Sequence, residues 1–205
     1  ARSHGCKTLS IDSKDFTFGY SLNFGIHNSK SDIVAIISAH TKPLNNLWLE
    51  NLVKPFLNSK VAMVYGKQVG VPTSKIGEYF DFIRTYNRYK KDQVFSNNAN
   101  SAIRKDLWIR RPFDEALLGL EDIDWSKFWV DEGQKIYYAE DAAIYHIHTE
   151  TWEQVTRRYY REAVSAVVIG YWKRIFFFYL TLSELKRCIE DLYFIITGKD
   201  KTASK

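Results

Sequence analysis

The sequence has few cysteines, no block of like charge and no long apolar run free of charged residues. Its two cysteines, Cys6 and Cys188, lie near opposite ends and form no CxxC pattern. A disulfide framework and a cysteine-ligated metal site are therefore excluded, and we expect reduced thiols in a cytoplasmic protein. Lysine and arginine exceed aspartate and glutamate by 29 − 24 = 5 and are scattered among them. This mild, dispersed excess argues against nucleic acid and favours phosphate ligands or a membrane surface.

No secretory signal, internal repeat or low-complexity segment is present, and the chain begins at Ala1 rather than at a methionine. This start is typical of a fragment or a trimmed chain. With 205 residues, 45% of them hydrophobic, the chain is long enough for one domain with a sizeable core. Only residues 198–205 are predicted to form a disordered tail.

Short apolar runs alternate with helical patterns through the first 150 residues. Strands are predicted at 7–11, 32–38, 61–65, 101–104, 135–138 and 142–147, and helices at 19–28, 47–57 and 76–89, with another beginning at Asp122. This βαβ rhythm predicts an α/β fold with a mixed, mainly parallel sheet flanked by helices. Ligands of such sheets bind at the carboxyl ends of the strands.

Two adjacent carboxylates, Glu121 and Asp122, follow Gly119 and open an amphipathic helix. The helix dipole favours negative charge at this end and is expected to keep a carboxylate ionised. A general base needs this property, because it must accept a proton near neutral pH. The alternative interpretation is an ordinary acidic first turn of a helix.

Three histidines occupy predicted strand ends. His146 and His148 are two residues apart, so both imidazoles point to one face of a strand, and His40 follows the strand at 32–38. Converging imidazoles can bind a divalent cation. The alternative is that these are surface or packing histidines.

Several blocks in a fixed order resemble those of family 2 inverting glycosyltransferases with the GT-A (nucleotide-diphospho-sugar transferase) fold. The blocks lie at 19–26, 36–40, 48–52, 64–68, 97–104, 113–115, 119–122 and 146–148. The resemblance spans most of residues 5–165, and its most specific parts are the Asn-Ala and Glu-Asp blocks at their mutual spacing.

The resemblance implies transfer of a sugar from a nucleotide-sugar donor to a hydroxyl of a glycan or lipid-linked acceptor, in polysaccharide biosynthesis. Asp122 corresponds to the catalytic base, with Glu121 as the neighbouring candidate. The residues assigned to donor binding are Ser38, Asn23, Gln68, Asn100 and Arg157. The family's metal-binding Asp-x-Asp falls on Ser38-Ala39-His40, which lacks both aspartates. His40, His146 and His148 are then the candidate ligands of a divalent cation, Mn²⁺ or Mg²⁺.

Members of the resembled family begin with a strand and a helix that hold the nucleotide base, and this chain starts after the matching point. It is then either part of a longer protein or a remnant that has lost donor binding. We therefore expect residues 1–150 to be an N-terminally incomplete GT-A domain. From this we expect the isolated chain to bind nucleotide sugars poorly and to self-associate.

Two amphipathic helices are predicted within residues 151–197. The run 163–182 is nearly apolar, but Lys173 and Arg174 interrupt it, each at a cost of roughly 2.5–3.5 kcal/mol at a bilayer centre. An interfacial helix peripheral to the inner membrane fits better than a spanning one. The alternative is packing against the domain or a second copy.

Three functions are compatible with these features. The first is a glycosyltransferase, and the second is an inactive GT-A remnant that acts as an interaction module. The third is a metal hydrolase that uses the three histidines.

Overall fold

The structure is a computed structural model that describes residues 2–72, 74–87, 94–171 and 177–197. The strands are β1 (Ile33–Ile37), β2 (Thr41–Pro43), β3 (Val61–Val69), β4 (Asn100–Arg104) and β5 (Lys135–His146). The α-helices are α1 (Phe18–His27), α2 (Trp48–Val53), α3 (Ile76–Asn87), α4 (Lys105–Arg110), α5 (Glu121–Asp131), α6 (Trp152–Val168) and α7 (Phe177–Thr197). Short 3₁₀ helices lie at Arg2–His4, Ser13–Asp15 and Lys54–Leu57. The predicted tail at 198–205 lies outside the described residues, as do Lys173 and Arg174.

The five strands form one mixed sheet in the order β1-β4-β3-β5-β2. Only β3 and β5 pair in parallel, whereas β4 runs antiparallel to both β1 and β3, and β2 runs antiparallel to β5. The expectation of a mainly parallel sheet is therefore wrong. The βαβ rhythm does align β1 with β3, but β4 is inserted between them, and this long-range pairing leaves no mark on local periodicity.

Two local strand predictions also differ from the structure. The predicted strand at 7–11 is absent: residues 7–10 are exposed and Ile11 is only half-buried, so Leu9 and Ile11 do not form a buried strand face. The predicted pair at 135–138 and 142–147 is a single strand, β5, which follows β3 with a register irregularity near Gly66 and Gln68.

The core has two parts, one on each face of the sheet, because successive residues of a strand point to opposite faces. Met63 and Ile103 pack on one face with Trp125 and Trp129 of α5. Val64 and Ala102 pack on the other face with Leu52 of α2. Packing of the buried face of α5 on the sheet fixes the position of the N-terminus of the helix.

Gly66 allows β3 and β5 to approach an asparagine side chain. A Cβ built on Gly66 would lie 2.1 Å from the Ala142 carbonyl oxygen and 2.3 Å from Asn100 Nδ2. Any larger residue would push the two strands apart. Gln68 follows two residues later in β3. The close packing at Gly66 therefore positions the carboxyl end of the strand, where Gln68 lies.

The two predicted C-terminal helices are confirmed as α6 and α7. A capping box fixes the start of α6, since Thr151 Oγ1 accepts a hydrogen bond from the Gln154 N–H and Gln154 Oε1 accepts one from the Thr151 N–H. Among the described residues, no helix is both long and apolar enough to cross a membrane.

Candidate active site

A cleft of about 480 Å³ opens at the carboxyl ends of β1, β3 and β5. Its walls come from the end of β1, the turn 97–99, the start of α5, the histidines and one side of α6. The position matches the expectation for an α/β sheet, in which ligands bind where the strands end.

Glu121 and Asp122 form one wall of the cleft and are both buried, at 7% and 8% exposure. The Asn98 backbone N–H donates to Asp122 Oδ2, and the Ile123 N–H donates to Oδ1, both at 2.8 Å. Leu120, the residue before the pair, has a left-handed backbone with φ 61°. Such a conformation costs a residue with a side chain on the order of 1–2 kcal/mol, so the turn that aims the acid pair is strained.

The ionisation of this pair differs from the expectation based on the helix dipole. Burial, followed by the adjacent Glu121 carboxylate, raises the pKa of Asp122 to about 8, although backbone N–H groups oppose the shift. Burial also raises the pKa of Glu121. Desolvation therefore outweighs the dipole, and the pair holds protons that an exposed pair would release.

The Asn97-Asn98-Ala99-Asn100 turn holds the acid pair against the sheet. Asn97 Oδ1 accepts the Ala99 N–H at 2.8 Å and so shapes the turn. Asn98 contacts both acids, since its side-chain Nδ2 donates to Glu121 Oε1 at 3.4 Å. The spacing between the asparagine block and the acid block thus reflects direct contact.

The three histidines converge on one point. His146 Nε2 lies 2.8 Å from His40 Nε2 and 2.9 Å from His148 Nε2. Their ligand nitrogens all lie within 4.8 Å of one another. Burial, followed by the neighbouring histidines, lowers the pKa of His146 to about 3, and burial also lowers that of His40. The convergence predicted from the strand ends is confirmed.

Two side chains orient the rings from behind. Gln68 Oε1 lies 2.6 Å from His146 Nδ1, and Glu78 on α3 accepts a hydrogen bond from His148 Nδ1. Both partners contact Nδ1, so Nε2 of each ring faces the cleft. Metal-ligating histidines commonly have such a partner on the second nitrogen. Gln68, assigned to donor binding by resemblance, thus contacts a histidine.

Arg158 of α6 connects the histidine cluster to the C-terminal helices. It donates to Glu150 Oε2 at 2.9 Å and to Glu78 Oε1 at 3.1 Å. Sequence reasoning singled out neighbouring Arg157 instead, whose side chain is 70% exposed and pairs with Glu153. The spacing of Val155, Arg158 and Glu162 along the inner side of α6 was the pattern that could have separated the two arginines.

Of the residues assigned to donor binding, Ser38 and Gln68 line the cleft, whereas Asn23 and Asn100 do not. Asn23 Nδ2 donates to the Phe113 carbonyl and its Oδ1 accepts from Trp108 Nε1, so the side chain fastens α1 to the segment before α5. Asn100 is fully buried and bridges the Ala142 carbonyl to Trp48 Nε1. The side-chain amides of Asn23 and Asn100 thus make hydrogen bonds that hold the fold together. Sequence reasoning missed Glu78, whose first-turn position in α3 gave no sign of its histidine partner.

The donor chemistry of the histidine cluster fits a divalent cation. Neutral imidazoles are good ligands for transition metals, and Nδ1 of both His146 and His148 has the outer hydrogen-bond partner that metal-ligating histidines commonly have. His40, His146 and His148 would hold such an ion, and the remaining coordination positions would face the cleft. Glu78 and Glu150 carry the nearby negative charge, but both are paired with Arg158.

Comparison with known proteins identifies relatives at low identity. The chain is 23% identical over 172 residues to the O-antigen chain rhamnosyltransferase RfbN of Salmonella typhimurium, covering 76% of this chain and 54% of the relative. It superposes on the mannosyltransferase PcManGT of Pyrobaculum calidifontis, solved with GDP-Man and Mn²⁺, with a TM-score of 0.57 and 17% identity. That match covers 78% of this chain and 44% of the mannosyltransferase. No protein-family profile matches the chain.

The chain thus spans about half the length of these relatives. The mixed sheet, its flanking helices and the cleft at the strand ends agree with the structural match. The chain has the GT-A fold of the nucleotide-diphospho-sugar transferases.

Proposed function

We propose that the protein is a glycosyltransferase that moves a sugar from a nucleotide-sugar donor to a hydroxyl acceptor with inversion at the anomeric carbon. The observation that carries this proposal is the shared cleft, which places the buried acid pair and the converging imidazoles in one space of a GT-A fold. The rhamnosyltransferase relative supports a role in polysaccharide biosynthesis.

Asp122 is the proposed base. Its carboxylate removes the proton of the acceptor hydroxyl as the oxygen attacks the anomeric carbon and the bond to the leaving diphosphate breaks. A raised pKa makes Asp122 a stronger base once it is ionised, and the ideal value lies near the working pH. Glu121, next in the helix and held by Asn98, adds negative charge beside the base.

The histidines line the same cleft as the acid pair. A divalent cation held there would neutralise charge that develops on the leaving diphosphate. Ser38, at the end of β1, remains the candidate contact to the donor, because it lies in the cleft beside His40. Arg158 supplies positive charge in the same wall, although Glu78 and Glu150 are its partners in this structure.

The proposed partners are a nucleotide-sugar donor and a glycan or lipid-linked acceptor. A cytoplasmic enzyme peripheral to the inner membrane would meet a lipid-linked acceptor at the membrane surface. The exposed apolar residues of α7, which include Leu182 and Ile189, offer a surface for that membrane or for a second copy.

Release of nucleoside diphosphate from a panel of nucleotide sugars tests the proposal when it is measured with and without lipid-linked glycan acceptors. We expect release to depend on an acceptor and the anomeric configuration of the product to be inverted. Full-rate release of free sugar without any acceptor would instead identify the metal hydrolase, which the convergence of three imidazoles also favours. Absence of donor binding in the full-length protein would favour the interaction module.

A further inference from the structure

We propose that His40, His146 and His148 form a preformed site for a transition-metal ion of the Zn²⁺ and Co²⁺ class, which binds without nucleotide and discriminates against Mg²⁺. This deepens the proposed function by naming the ion class of its cleft. Only the role of the ion in catalysis rests on the proposed function, because metal binding is measured without donor, acceptor or turnover.

His146 is surrounded by more nitrogens than its hydrogen bonds can satisfy. Its Nδ1 faces Gln68 Oε1 at 2.6 Å, so Nδ1 carries the proton and Nε2 has a single in-plane lone pair. Two other imidazole nitrogens nevertheless lie within 2.9 Å of that Nε2. One proton can bridge only one of these contacts. A divalent cation held by the three rings would replace both contacts with metal–nitrogen bonds.

The rings of His146 and His148 are held in place before any ligand arrives. Glu78 accepts from His148 Nδ1, and Arg158 in turn holds Glu78 at 3.1 Å. Gln68, which is 2% exposed, performs the same task for His146. Outer partners of this kind fix the ring orientation and raise ligand basicity, and losing one commonly weakens metal affinity by about 10–100-fold.

The ligand type of the histidine cluster selects among divalent cations. The three histidines offer nitrogens and no carboxylate, because Ser38-Ala39-His40 replaces the aspartate pair expected from the resemblance. Glu78 and Glu150 also group with His148, but they lie at its Nδ1 rather than at Nε2. Mg²⁺ prefers oxygen ligands in octahedral geometry and gives up water reluctantly. Imidazole suits Zn²⁺ and its neighbours, and three protein ligands with open positions are typical of a catalytic site.

Metal titration of the untagged, chelator-stripped chain tests the proposal. We expect one equivalent of Co²⁺ to produce a visible d–d absorption spectrum, and Zn²⁺ to displace it. Mg²⁺ should bind at least about a hundredfold more weakly than Zn²⁺ in calorimetry. His146→Gln and His40→Gln should each weaken Co²⁺ binding by at least about tenfold. His27→Gln is the matched control, since His27 is exposed at the end of α1.

His40 is also exposed, so His40→Gln keeps the test decisive even if the buried His146 variant does not fold. Absence of Co²⁺ binding, equal affinity for Mg²⁺ and Zn²⁺, or an equal loss in His27→Gln would each overturn the proposal. Binding that requires added nucleoside diphosphate would overturn the preformed site while leaving the proposed transferase intact. Conversely, tight Zn²⁺ binding by a chain that transfers no sugar would refute the function and not the site.

Discussion

The cleft and helix α7 depart from ordinary burial in opposite ways. The cleft buries Glu121, Asp122 and His146, whereas α7 exposes leucines and isoleucines along its outer side. Buried ionisable groups and exposed apolar rows are both unfavourable for an isolated chain, so each region is suited to a partner of matching chemistry. The partner proposed for the cleft, a nucleotide sugar, is small and charged, and the partner expected for α7 is apolar and extended.

Within the cleft, burial shifts the pKa values of the acid pair and of the histidines in opposite directions. Burial raises the pKa of Asp122 and lowers that of His146, so both groups move towards their neutral forms. A cation at the histidines and a hydroxyl at the acid pair would each restore a polar partner.

The largest expected effect is the loss of turnover in Asp122→Asn. The amide keeps the size of the side chain but cannot accept the acceptor proton, so the rate should fall by about 10² to 10⁴. The measurement is nucleoside diphosphate release from the nucleotide sugar that the panel identifies as the donor. Glu121→Gln, measured beside it, should lose less, and near-normal turnover in Asp122→Asn would show that another group is the base.

The same variant should change how stability depends on pH. The folded pKa of Asp122 lies above its unfolded value of 3.8, so the folded state binds more protons between about pH 4 and pH 8. Its contribution to the free energy of unfolding is full below about pH 4 and is lost as the pH rises towards 8. Each pKa unit of difference corresponds to about 1.4 kcal/mol. As the pH rises from 5 to 8, the free energy of unfolding of Asp122→Asn should therefore increase by at least about that much relative to that of wild type.

Urea unfolding at several pH values measures this gain. Asp131→Asn is the matched control, because Asp131 is exposed in the last turn of the same helix. Parallel stability curves for wild type and Asp122→Asn would mean that Asp122 is not held neutral by burial.

The sequence indicates many of the elements and residues of this cleft, but not the long-range pairings and hydrogen bonds that assemble it. Local periodicity predicts β1, α1 and α5, and the strand ends predict that His40 and His146 meet. Pairing of β4 between β1 and β3 joins segments far apart in the chain, and local patterns do not encode it. The same limit explains why Asn100 looked like a ligand residue, since its carbonyl partner at Ala142 is 42 positions away.

A smaller effect is expected from Gln68→Leu, which removes the partner of His146 Nδ1 and leaves the ring free to rotate. Affinity for Co²⁺ should fall by about 10–100-fold without loss of the metal ligands themselves. Gln68→Glu keeps an acceptor oxygen and should restore most of the affinity. Equal affinity in wild type and Gln68→Leu would mean that the ring is held by packing alone.

The smallest expected effect concerns the apolar stripe of α7, defined as Leu182, Leu185, Ile189, Leu192 and Ile196. All five are more than half exposed, and their alternating spacings of three and four match a coiled-coil seam. The charged residues of α7 are three acids and two bases, whereas interfacial helices are rich in lysine and arginine. This balance favours a second copy over an anionic membrane.

Replacing Leu185 and Ile189 with glutamate should therefore weaken self-association by at least about tenfold, because burying one such side chain is worth roughly 1.5–3 kcal/mol. Sedimentation velocity over a concentration series measures the change. Glutamates at Leu49 and Leu57, which are also exposed, provide the matched control and should leave association unchanged. Loss of binding to anionic vesicles, with association intact, would instead assign the stripe to a membrane surface, and the apolar partner of α7 would then be lipid.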